Sequence, residues 1–284
     1  MNLNDLLTFK VVAEEKNISK AAEKLHFVQS NITAKIKRLE KTYETQLFYR
    51  HRYGVTLTSA GRTLLAYTEQ ILQLMDDSKK AITYAKTPTG TLAIGAMETT
   101  AAVRLPSLLA TYKQKYPEVA LALQTNSTNT LIKKVIDREL EGAFIAGSVH
   151  HPLITEIEAF NEQLVLIAKK DEFALNDIKK QTIIVFQSGC FYRKVLEDWL
   201  RSEGIIPTHT MELNTLEGIV GCVKAGLGIS MLTKTVMEQL DPHKELVQYP
   251  LPINDGNITT KFIYHKNIVK TAAFEAFVKR LMEK

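Results

Sequence analysis

The pattern of apolar residues changes at one short segment, Thr87-Pro88-Thr89-Gly90. Before this segment, apolar residues recur every three or four positions, which is the spacing of a helix surface. After it, short apolar runs typical of strands alternate with helical patterns. Because Pro and Gly interrupt regular structure, the segment predicts a boundary between a mainly helical part and an α/β part. A chain of 284 residues is also longer than a single domain usually is.

The first 58 residues are predicted to form a winged helix-turn-helix. Residues 3–13 have the spacing of an amphipathic helix, and Ser19 is expected to be the N-cap residue of a short helix over residues 20–25. A third helix is predicted over residues 29–40, and two β runs flanking residues 49–54 predict a hairpin with a basic, aromatic tip. A helix of this kind fits the major groove of DNA, and arginines of a hairpin tip can reach phosphates or the minor groove. The alternative is a small helical subdomain with an ordinary solvated face.

The positive charge of the chain is concentrated in this helical part. Up to Lys86 the sequence has 14 basic and 9 acidic residues, a net charge of +5, whereas the remainder has 22 of each. A basic module joined to a neutral one favours a polyanion such as nucleic acid as the partner of the first. The excess is small, so a chance distribution of charge is the alternative.

The candidate DNA contacts lie on the polar face of the third helix, in the helix before it and in the hairpin. Gln and Asn suit bidentate hydrogen bonds with adenine, and Lys and Arg suit phosphates. The candidates are Ser19, Gln29, Ser30, Asn31, Thr33, Lys35, Lys37, Arg38, Arg50, Arg52 and Tyr53. For each of them, the alternative is a solvated surface residue without a contact.

Residues 59–88 are predicted to contain a long helix that pairs two chains. Between Arg62 and Lys86 there is neither Gly nor Pro, and a seam of apolar and small residues continues for roughly three heptads. The seam consists of Leu64, Tyr67, Ile71, Leu74, Ser78, Ala81 and Ala85. Dimerisation is favoured because proteins that bind two-fold DNA sites need a partner. The alternative is a helix that lies on its own domain.

The remaining residues, 89–284, are predicted to form an α/β domain with mostly parallel sheets, because strand and helix patterns alternate. Strands are predicted over 91–95, 119–125, 143–146, 164–168, 182–186, 229–232 and 262–264. Helices are predicted over 101–116, 128–138, 192–203, 215–225 and 270–283. The size of this part is large for one compact sheet and allows two lobes.

Residues 18–61 resemble the N-terminal domain of LysR-type transcriptional regulators. The residues that carry this resemblance are Ser19, Ala21-Ala22, Leu25-His26, Gln29-Ser30, Ile32-Thr33, Ile36, Leu39-Glu40, Leu47-Phe48, Arg50, Arg52, Val55, Leu57-Thr58 and Ala60-Gly61. The rest agrees in order, with a linker helix and then a periplasmic-binding-protein-like domain. There, Gly218, Ala225-Gly226-Leu227-Gly228-Ile229 and Leu232 are similar to a Gly-rich segment of the family's second lobe. The resemblance covers the whole chain and is weakest in residues 148–162 and 233–260.

The resemblance implies a sequence-specific transcriptional regulator that responds to a small-molecule effector bound between two α/β lobes. The first lobe would span residues 91–161 and 266–284, and the second lobe residues 162–265. The family also implies a homodimer or homotetramer on a double-stranded DNA operator, RNA polymerase as a partner if the protein activates transcription, and a co-inducer instead of a cofactor. The chain departs from the family at Val28, where Ser or Thr usually stands, and at Asn31, which replaces a small residue.

The candidate effector contacts lie where predicted strands run out into helices. Hydroxyl groups and free amides at such turns suit an anion, whereas Glu98 opposes an anion and favours a cationic or hydroxylated ligand. The candidates are Met97, Glu98, Thr99, Thr100, Asn126, Ser127, Thr128, Ser188 and Arg193. Helix capping needs the same residue types and is the alternative at each position.

Other classes of function have less support in the sequence. Cys190 and Cys222 are too few for a disulfide scaffold or a four-thiolate zinc site, and His150-His151 has no further ligand at suitable spacing, so no metal is expected. Cys190 at a predicted helix start leaves redox sensing as a hypothesis. No catalytic motif is present, so the competing hypotheses are a small-molecule binding or transport module and an α/β enzyme. Without a long apolar run or a signal peptide, a cytoplasmic protein is expected.

Overall fold

The computed structural model describes residues 2–82, 87–170, 175–251 and 256–283. The chain divides into two compact units, residues 1–83 and 84–284. The helices are α1 (Leu3–Glu15), α2 (Ile18–Lys24), α3 (Gln29–Thr42), α4 (Ser59–Ile82), α5 (Glu98–Val103), α6 (Leu105–Lys115), α7 (Thr128–Ile136), α8 (Phe191–Ser202), α9 (Leu216–Lys224), α10 (Lys234–Leu240) and α11 (Ala272–Met282). The strands are β1 (Phe48–His51), β2 (Gly54–Leu57), β3 (Gly90–Ala96), β4 (Val119–Thr125), β5 (Gly142–Ala146), β6 (Ile154–Lys169), β7 (Thr182–Phe186), β8 (His209–Leu213), β9 (Ser230–Thr233), β10 (Leu246–Pro250) and β11 (Asn257–His265).

The amino-terminal unit is built on α1, α2 and α3, whose apolar faces pack together. Phe9 and Val12 of α1 and Ile32, Ile36 and Leu39 of α3 are all buried. Their spacing on each helix is the one that the sequence predicts for a face turned to a core. The predicted helix-turn-helix and its third helix are confirmed.

The N-cap of α2 differs from the prediction. Asn17, not Ser19, is the N-cap residue, and its side-chain oxygen accepts hydrogen bonds from the Ser19 and Lys20 amides at 2.9 and 3.2 Å. The short Asn side chain caps the first turn from an extended backbone, so the helix begins at Ile18. Ser19 lies inside the helix, and its side chain does not cap it.

Strands β1 and β2 form the predicted hairpin, the wing of this unit. Arg50 pairs with Val55, and residues 52 and 53 make the turn. Gly54 has φ +143°, and a Cβ atom there would lie 2.2 Å from the Lys16 carbonyl oxygen. The same carbonyl accepts a hydrogen bond from the Val55 amide at 2.9 Å. The glycine therefore allows the wing to be anchored to the end of α1.

Helix α4 leaves part of its predicted heptad seam exposed. Leu64 is buried within the unit, whereas Tyr67, Ile71 and Leu74 are 61%, 36% and 50% exposed. Of the other seam residues, Ala85 and the side chain of Ala81 lie outside the described part of the chain.

The carboxy-terminal unit contains a sheet with the strand order β10-β6-β11-β5-β3-β4, with β9 also paired to β6. Strands β3, β4 and β5 are parallel, but β11 and β6 are antiparallel to their neighbours. A separate parallel pair joins β7 and β8. The expectation of mostly parallel sheets is therefore wrong, because the strands that connect the two lobes enter the sheet antiparallel.

The long strand β6 carries the chain from one lobe to the other. Residues 154–163 pair with β11 in the first lobe, and residues 164–169 pair with β9 and β10 in the second. The predicted strand over residues 164–168 is only the end of this 16-residue strand. Residues 154–163 do not alternate regularly between apolar and polar side chains, so the sequence gives no strand pattern there.

The chain returns to the first lobe earlier than the resemblance implies. Strand β11 pairs with β5, so residues 257–265 belong to the sheet of the first lobe and not to the second lobe. The predicted helix over residues 101–116 is also two helices, because α5 ends and α6 begins at Arg104.

Candidate nucleic-acid interface and ligand cavity

The outer face of α3 presents a row of polar and basic side chains. Gln29, Ser30, Thr33 and Lys37 line a shallow groove there together with Ala34. The Ser19 hydroxyl donates a hydrogen bond to the Gln29 side-chain oxygen at 3.2 Å, which links α2 to the first residue of α3. Five of the predicted DNA contacts are therefore brought together, with Gln29 oriented by Ser19. A row of this kind has the donors and acceptors that base edges need.

Two other predicted contacts on α3 already have partners within the unit. The Lys35 ammonium group lies 4.4 Å from the centre of the Phe27 ring. Arg38 Nη2 lies 3.4 Å from Oδ1 of Asp5, a completely buried carboxylate at the start of α1. These contacts fix the flanks of the helix and reduce the freedom of both cations.

The wing is held against α3 by a residue that the sequence did not single out for this role. Glu40 Oε1 accepts a hydrogen bond from the Leu47 amide at 3.0 Å, and Glu40 Oε2 lies 3.7 Å from Arg50 Nη2. At the hairpin tip Arg52 is exposed and Tyr53 is 84% exposed. Glu40 thus sets the position of Arg50, while the tip stays free.

The N-terminus of α3 has an apolar residue at its cap. Val28 is the N-cap residue, makes no side-chain hydrogen bond to the helix, and is 69% exposed. Asn31, the other departure from the family pattern, is exposed. The departure from the family pattern at Val28 therefore leaves the helix without a side-chain cap.

A cavity of about 250 Å³ lies between the two lobes of the carboxy-terminal unit. It is formed by the turns after β3 and β4 in the first lobe and after β7 and β8 in the second. The residues that line it are Met97, Glu98, Thr99, Thr125, Asn126, Ser127, Thr128, Thr130, Phe186, Gln187, Cys190, Tyr192 and Asn214. The carboxyl ends of strands in α/β folds commonly form such sites, because the loops there converge.

Six of the nine predicted effector residues line this cavity, and three do not. Thr100 is buried behind it, at 3% exposure. Ser188 and Arg193 line a neighbouring groove instead. Arg193 is bound to Glu197 and Glu212, at 2.7 Å in each case. Its guanidinium group therefore serves ion pairs within the second lobe.

Several lining residues had a weak sequence indication or none. Gln187 lies in the turn that the sequence marked, but Asn214 follows β8, a strand that the sequence did not predict. Tyr192 and Phe186 are large aromatic residues, which the sequence alone does not distinguish from residues of the hydrophobic core. The indication that could have found Asn214 is the Asn-Thr pair before the predicted helix at residue 215.

The protonation states around the cavity follow from burial. Burial and the nearby Glu217 carboxylate raise the pKa of Glu98 above its usual value, against a hydrogen bond from Thr125. Burial also raises the pKa of Tyr192, whose hydroxyl oxygen accepts a hydrogen bond from Thr99 at 3.3 Å. Burial raises the pKa of the Cys190 thiol as well, which disfavours the thiolate that redox sensing would use.

An ion pair lies behind the cavity, where the chain passes between the lobes. Arg104 Nε donates to Glu162 Oε1 at 2.7 Å, and Arg104 Nη2 donates to the Thr235 hydroxyl at 2.9 Å. The Thr235 hydroxyl in turn donates to Glu162 Oε2 at 2.9 Å. This network joins α5–α6, β6 and α10, so it connects elements of both lobes.

The described residues lack two features that would indicate other functions. No helix among them is both long and apolar enough to span a bilayer. In the same residues, no group of three or more His, Cys, Asp and Glu side chains could hold a metal ion.

Comparison with known proteins assigns both units. The family described as "LysR substrate binding domain" matches residues 85–284, and the family described as "Bacterial regulatory helix-turn-helix protein, lysR family" matches residues 3–62. The HTH-type transcriptional regulator CzcR of Bacillus anthracis is 40% identical over 283 residues, which cover 100% of this chain and 98% of that protein. The protein named "Uncharacterized HTH-type transcriptional regulator YusT" of Bacillus subtilis is 42% identical over 278 residues, or 98% of this chain and 94% of that protein.

Solved structures of full-length regulators share the fold. CbnR in complex with its target DNA matches with a TM-score of 0.72 at 22% identity, covering 100% of this chain and 99% of that chain. A full-length OxyR variant from Pseudomonas aeruginosa matches with a TM-score of 0.70 at 21% identity, covering 99% of this chain and 94% of that one.

The chain belongs to the LysR family of transcriptional regulators. It is a DNA-binding regulator with a carboxy-terminal effector-binding domain. The predicted family, the winged helix-turn-helix and the two-lobed α/β fold are confirmed.

Proposed function

We propose that this regulator binds a two-fold operator as a homo-oligomer and that a small molecule in the interlobe cavity controls it. The observation that carries the proposal is the row of Gln29, Ser30, Thr33 and Lys37 on the outer face of α3. In this proposal Gln29 contacts a base edge, Ser30 and Thr33 bond to bases or phosphates, and Lys37 neutralises a phosphate.

The wing and the flanks of α3 have supporting roles. Arg52 and Tyr53 at the exposed tip approach the DNA backbone or the minor groove, and Arg50 meets a phosphate from the position that Glu40 gives it. Asn31, which is exposed, would reach the DNA beside Gln29. Lys35 and Arg38 contribute positive potential from positions that Phe27 and Asp5 hold.

The oligomer is proposed from the exposed apolar residues of α4. Tyr67, Ile71 and Leu74 lie at heptad positions, and an apolar stripe of this kind is covered when two helices pair. A homodimer is the smallest assembly that covers it and matches a two-fold operator. A homotetramer would need further contacts between the carboxy-terminal units.

The effector is proposed to bind Met97, Glu98, Thr99, Asn126, Ser127 and Thr128 from the first lobe. Residues after β7 and β8 would contact it from the second lobe, so that binding biases the distance between the lobes. Thr100 and Ser188 would support the site from behind and beside it.

The proposed role also has consequences for activity, location and a further partner. The protein would act as a regulator and not as an enzyme. It would work in the cytoplasm, because an operator is part of the chromosome. RNA polymerase would be a partner if the bound regulator activates transcription.

The test is binding to DNA from upstream of the gene, followed by nuclease protection on the fragment that binds. Gln29→Ala and Arg52→Ala are each expected to weaken operator binding at least tenfold in fluorescence anisotropy, because each removes a proposed groove contact. Arg201→Ala, which removes an exposed cation of the carboxy-terminal unit, is the matched control and should bind as the unaltered protein does. Unchanged affinity and selectivity of both α3 and wing variants would contradict the assignment.

A further inference from the structure

The charge of the cavity lining is one-sided. Of the side chains that line the cavity in the described part of the chain, Glu98 carries a charge, and none is Lys, Arg or His. The other polar lining groups are hydroxyls of Thr, Ser and Tyr and side-chain amides of Asn126, Gln187 and Asn214. A carboxylate or phosphate ligand would find no cation there to neutralise it.

Two arginines on helices that follow cavity turns are paired with carboxylates of the protein. Arg193, in the helix that follows Cys190, is paired with both Glu197 and Glu212. Arg104 is paired with Glu162, which is 5% exposed. To serve an anionic ligand, either arginine would have to leave a carboxylate without a partner.

A second carboxylate approaches from the opposite lobe. Glu217 lies in the first turn of α9, in the second lobe, and interacts electrostatically with Glu98 of the first lobe. Two like charges on facing lobes repel each other as the cleft narrows. A cation placed at Glu98 would cancel this repulsion.

The other side chains that line the cavity suit a ligand with a short aliphatic skeleton and hydrogen-bond donors. Met97, Phe186 and Cys190 provide apolar surface. Gln187 donates from its side-chain nitrogen to the Asn214 side-chain oxygen, which leaves the Gln187 oxygen as an acceptor for a ligand. In the described residues no cluster of ligating side chains fits a metal ion, so an organic cation suits this cavity better.

We propose that the effector of this regulator is a small aliphatic amine whose ammonium group binds Glu98 in the cavity between the lobes. The inference rests on the proposed effector site and adds the chemical class of the ligand. The ammonium group donates hydrogen bonds to the Glu98 carboxylate and to neighbouring side-chain oxygens. By removing the repulsion between Glu98 and Glu217, it favours the closed arrangement of the lobes.

The experiment compares ligands with the same four-carbon skeleton on the full-length protein at constant ionic strength. The probes are 1,4-diaminobutane, butane-1,4-diol and succinate, with mono- and diamines of two to six carbons as an extension. Thermal unfolding and titration calorimetry are expected to show saturable binding of an amine and no binding of the matched diol or dicarboxylate. Binding by succinate or the diol alone, or no binding by any amine of the series, would overturn the proposal.

Variants locate the bound amine. Glu98→Gln, which keeps the size of the side chain, should weaken amine binding at least tenfold, and Glu217→Gln should weaken it less. Glu118→Gln, at an exposed position just before β4 and therefore at the opposite end of that strand from the cavity turn, is the control for nonspecific attraction and should leave binding unchanged. Amine binding that persists in Glu98→Gln, or a divalent metal ion that binds at Glu98 in place of the amines, would refute the assignment.

The experiments distinguish a failure of this inference from a failure of the proposed function. Operator binding is measured separately, on the unaltered protein without ligand, so that it tests the DNA-binding unit and not the cavity. If amines bind at Glu98 but no DNA fragment is protected, the ligand class stands and the proposed operator function fails. If the operator is bound and amines are not, the ligand class fails alone.

Discussion

Some cationic side chains of this regulator are paired with carboxylates of the same chain, whereas others are available to a ligand. On α3, Arg38 is paired with Asp5, whereas Lys37 is one of the side chains that line the groove on the outer face of the helix. In the second lobe Arg193 is held by two glutamates. A cation in the sequence is therefore not by itself a ligand contact, because an internal carboxylate at 2.7 to 3.4 Å competes for it.

Val28→Ser is expected to raise the free energy of unfolding by about 1 kcal/mol. Val28 makes no side-chain hydrogen bond at the N-cap of α3, and a serine hydroxyl could accept one from a free amide of the first turn. Urea unfolding monitored by circular dichroism measures the gain. Val28→Ala is the control, because alanine is an equally poor cap. Equal stabilities of the serine and alanine variants would argue against a capping gain.

Glu98→Gln is expected to stabilise the ligand-free protein at pH 7 and above. Burial and Glu217 raise the pKa of Glu98, so the folded state holds that proton more tightly than the unfolded state does. Stability linked to this group is present at low pH and lost as the pH rises through the raised pKa. Melting temperatures between pH 4.5 and pH 8 should show a gain for the variant that shrinks toward the acid end. A gain of the same size at every pH would contradict this origin.

Helices and a strand of the carboxy-terminal unit are joined by the hydrogen-bonded network of Arg104, Glu162 and Thr235. Arg104 stands where α5 gives way to α6, Glu162 is on β6, and Thr235 is in the first turn of α10. The break between α5 and α6 places the guanidinium group against a buried carboxylate of the long strand. The ion pair together with the hydrogen bonds of Thr235 therefore links the helices of the first lobe to a helix of the second.

Arg104→Met is expected to destabilise the protein by about 3 kcal/mol, because it leaves the Glu162 carboxylate buried without its cation. Denaturant unfolding of the carboxy-terminal unit, followed through Trp199 fluorescence, measures the loss. The double variant Arg104→Met with Glu162→Gln should recover much of it, since the uncompensated charge is gone. A loss below about 0.5 kcal/mol would place the pair with ordinary exposed ion pairs.

At the scale of the whole molecule, the chain joins a helical unit to a two-lobed α/β unit and leaves apolar side chains of α4 uncovered. Tyr67, Ile71 and Leu74 are exposed in the single chain although their spacing is that of a helix-pairing seam. A second copy of α4 would cover them.

Leu74→Asp is expected to weaken dimerisation at least tenfold, because it places a charge in the proposed apolar contact. Sedimentation velocity over a range of protein concentrations measures the change. Ala66→Asp adds the same charge at an exposed position on another face of α4 and should leave the dimer intact. If both variants sediment as the unaltered protein does, the seam is not the dimer contact.

The sequence predicted most of the amino-terminal unit because the evidence there is local. The apolar spacing of α1 and α3 and the turn residues of the wing lie within a few positions of one another. The same reasoning succeeded for six cavity residues, which directly follow strands β3 and β4 or open the helices after them. It failed for Asn214 and Tyr192, which reach the cavity only because β8 and α8 of the second lobe lie opposite the first lobe.

The sequence by itself determined the family, the helices and hairpin of the amino-terminal unit and the face of α3 that is turned outward, because each depends on residue spacing along one segment. Only the tertiary structure decided that β6 and β11 cross between the lobes, that Arg193 is neutralised, and that Glu98 interacts electrostatically with Glu217. The physical reason is that pairing of strands and screening of charges depend on distances between residues far apart in the chain. Periodicity carries no information about those distances.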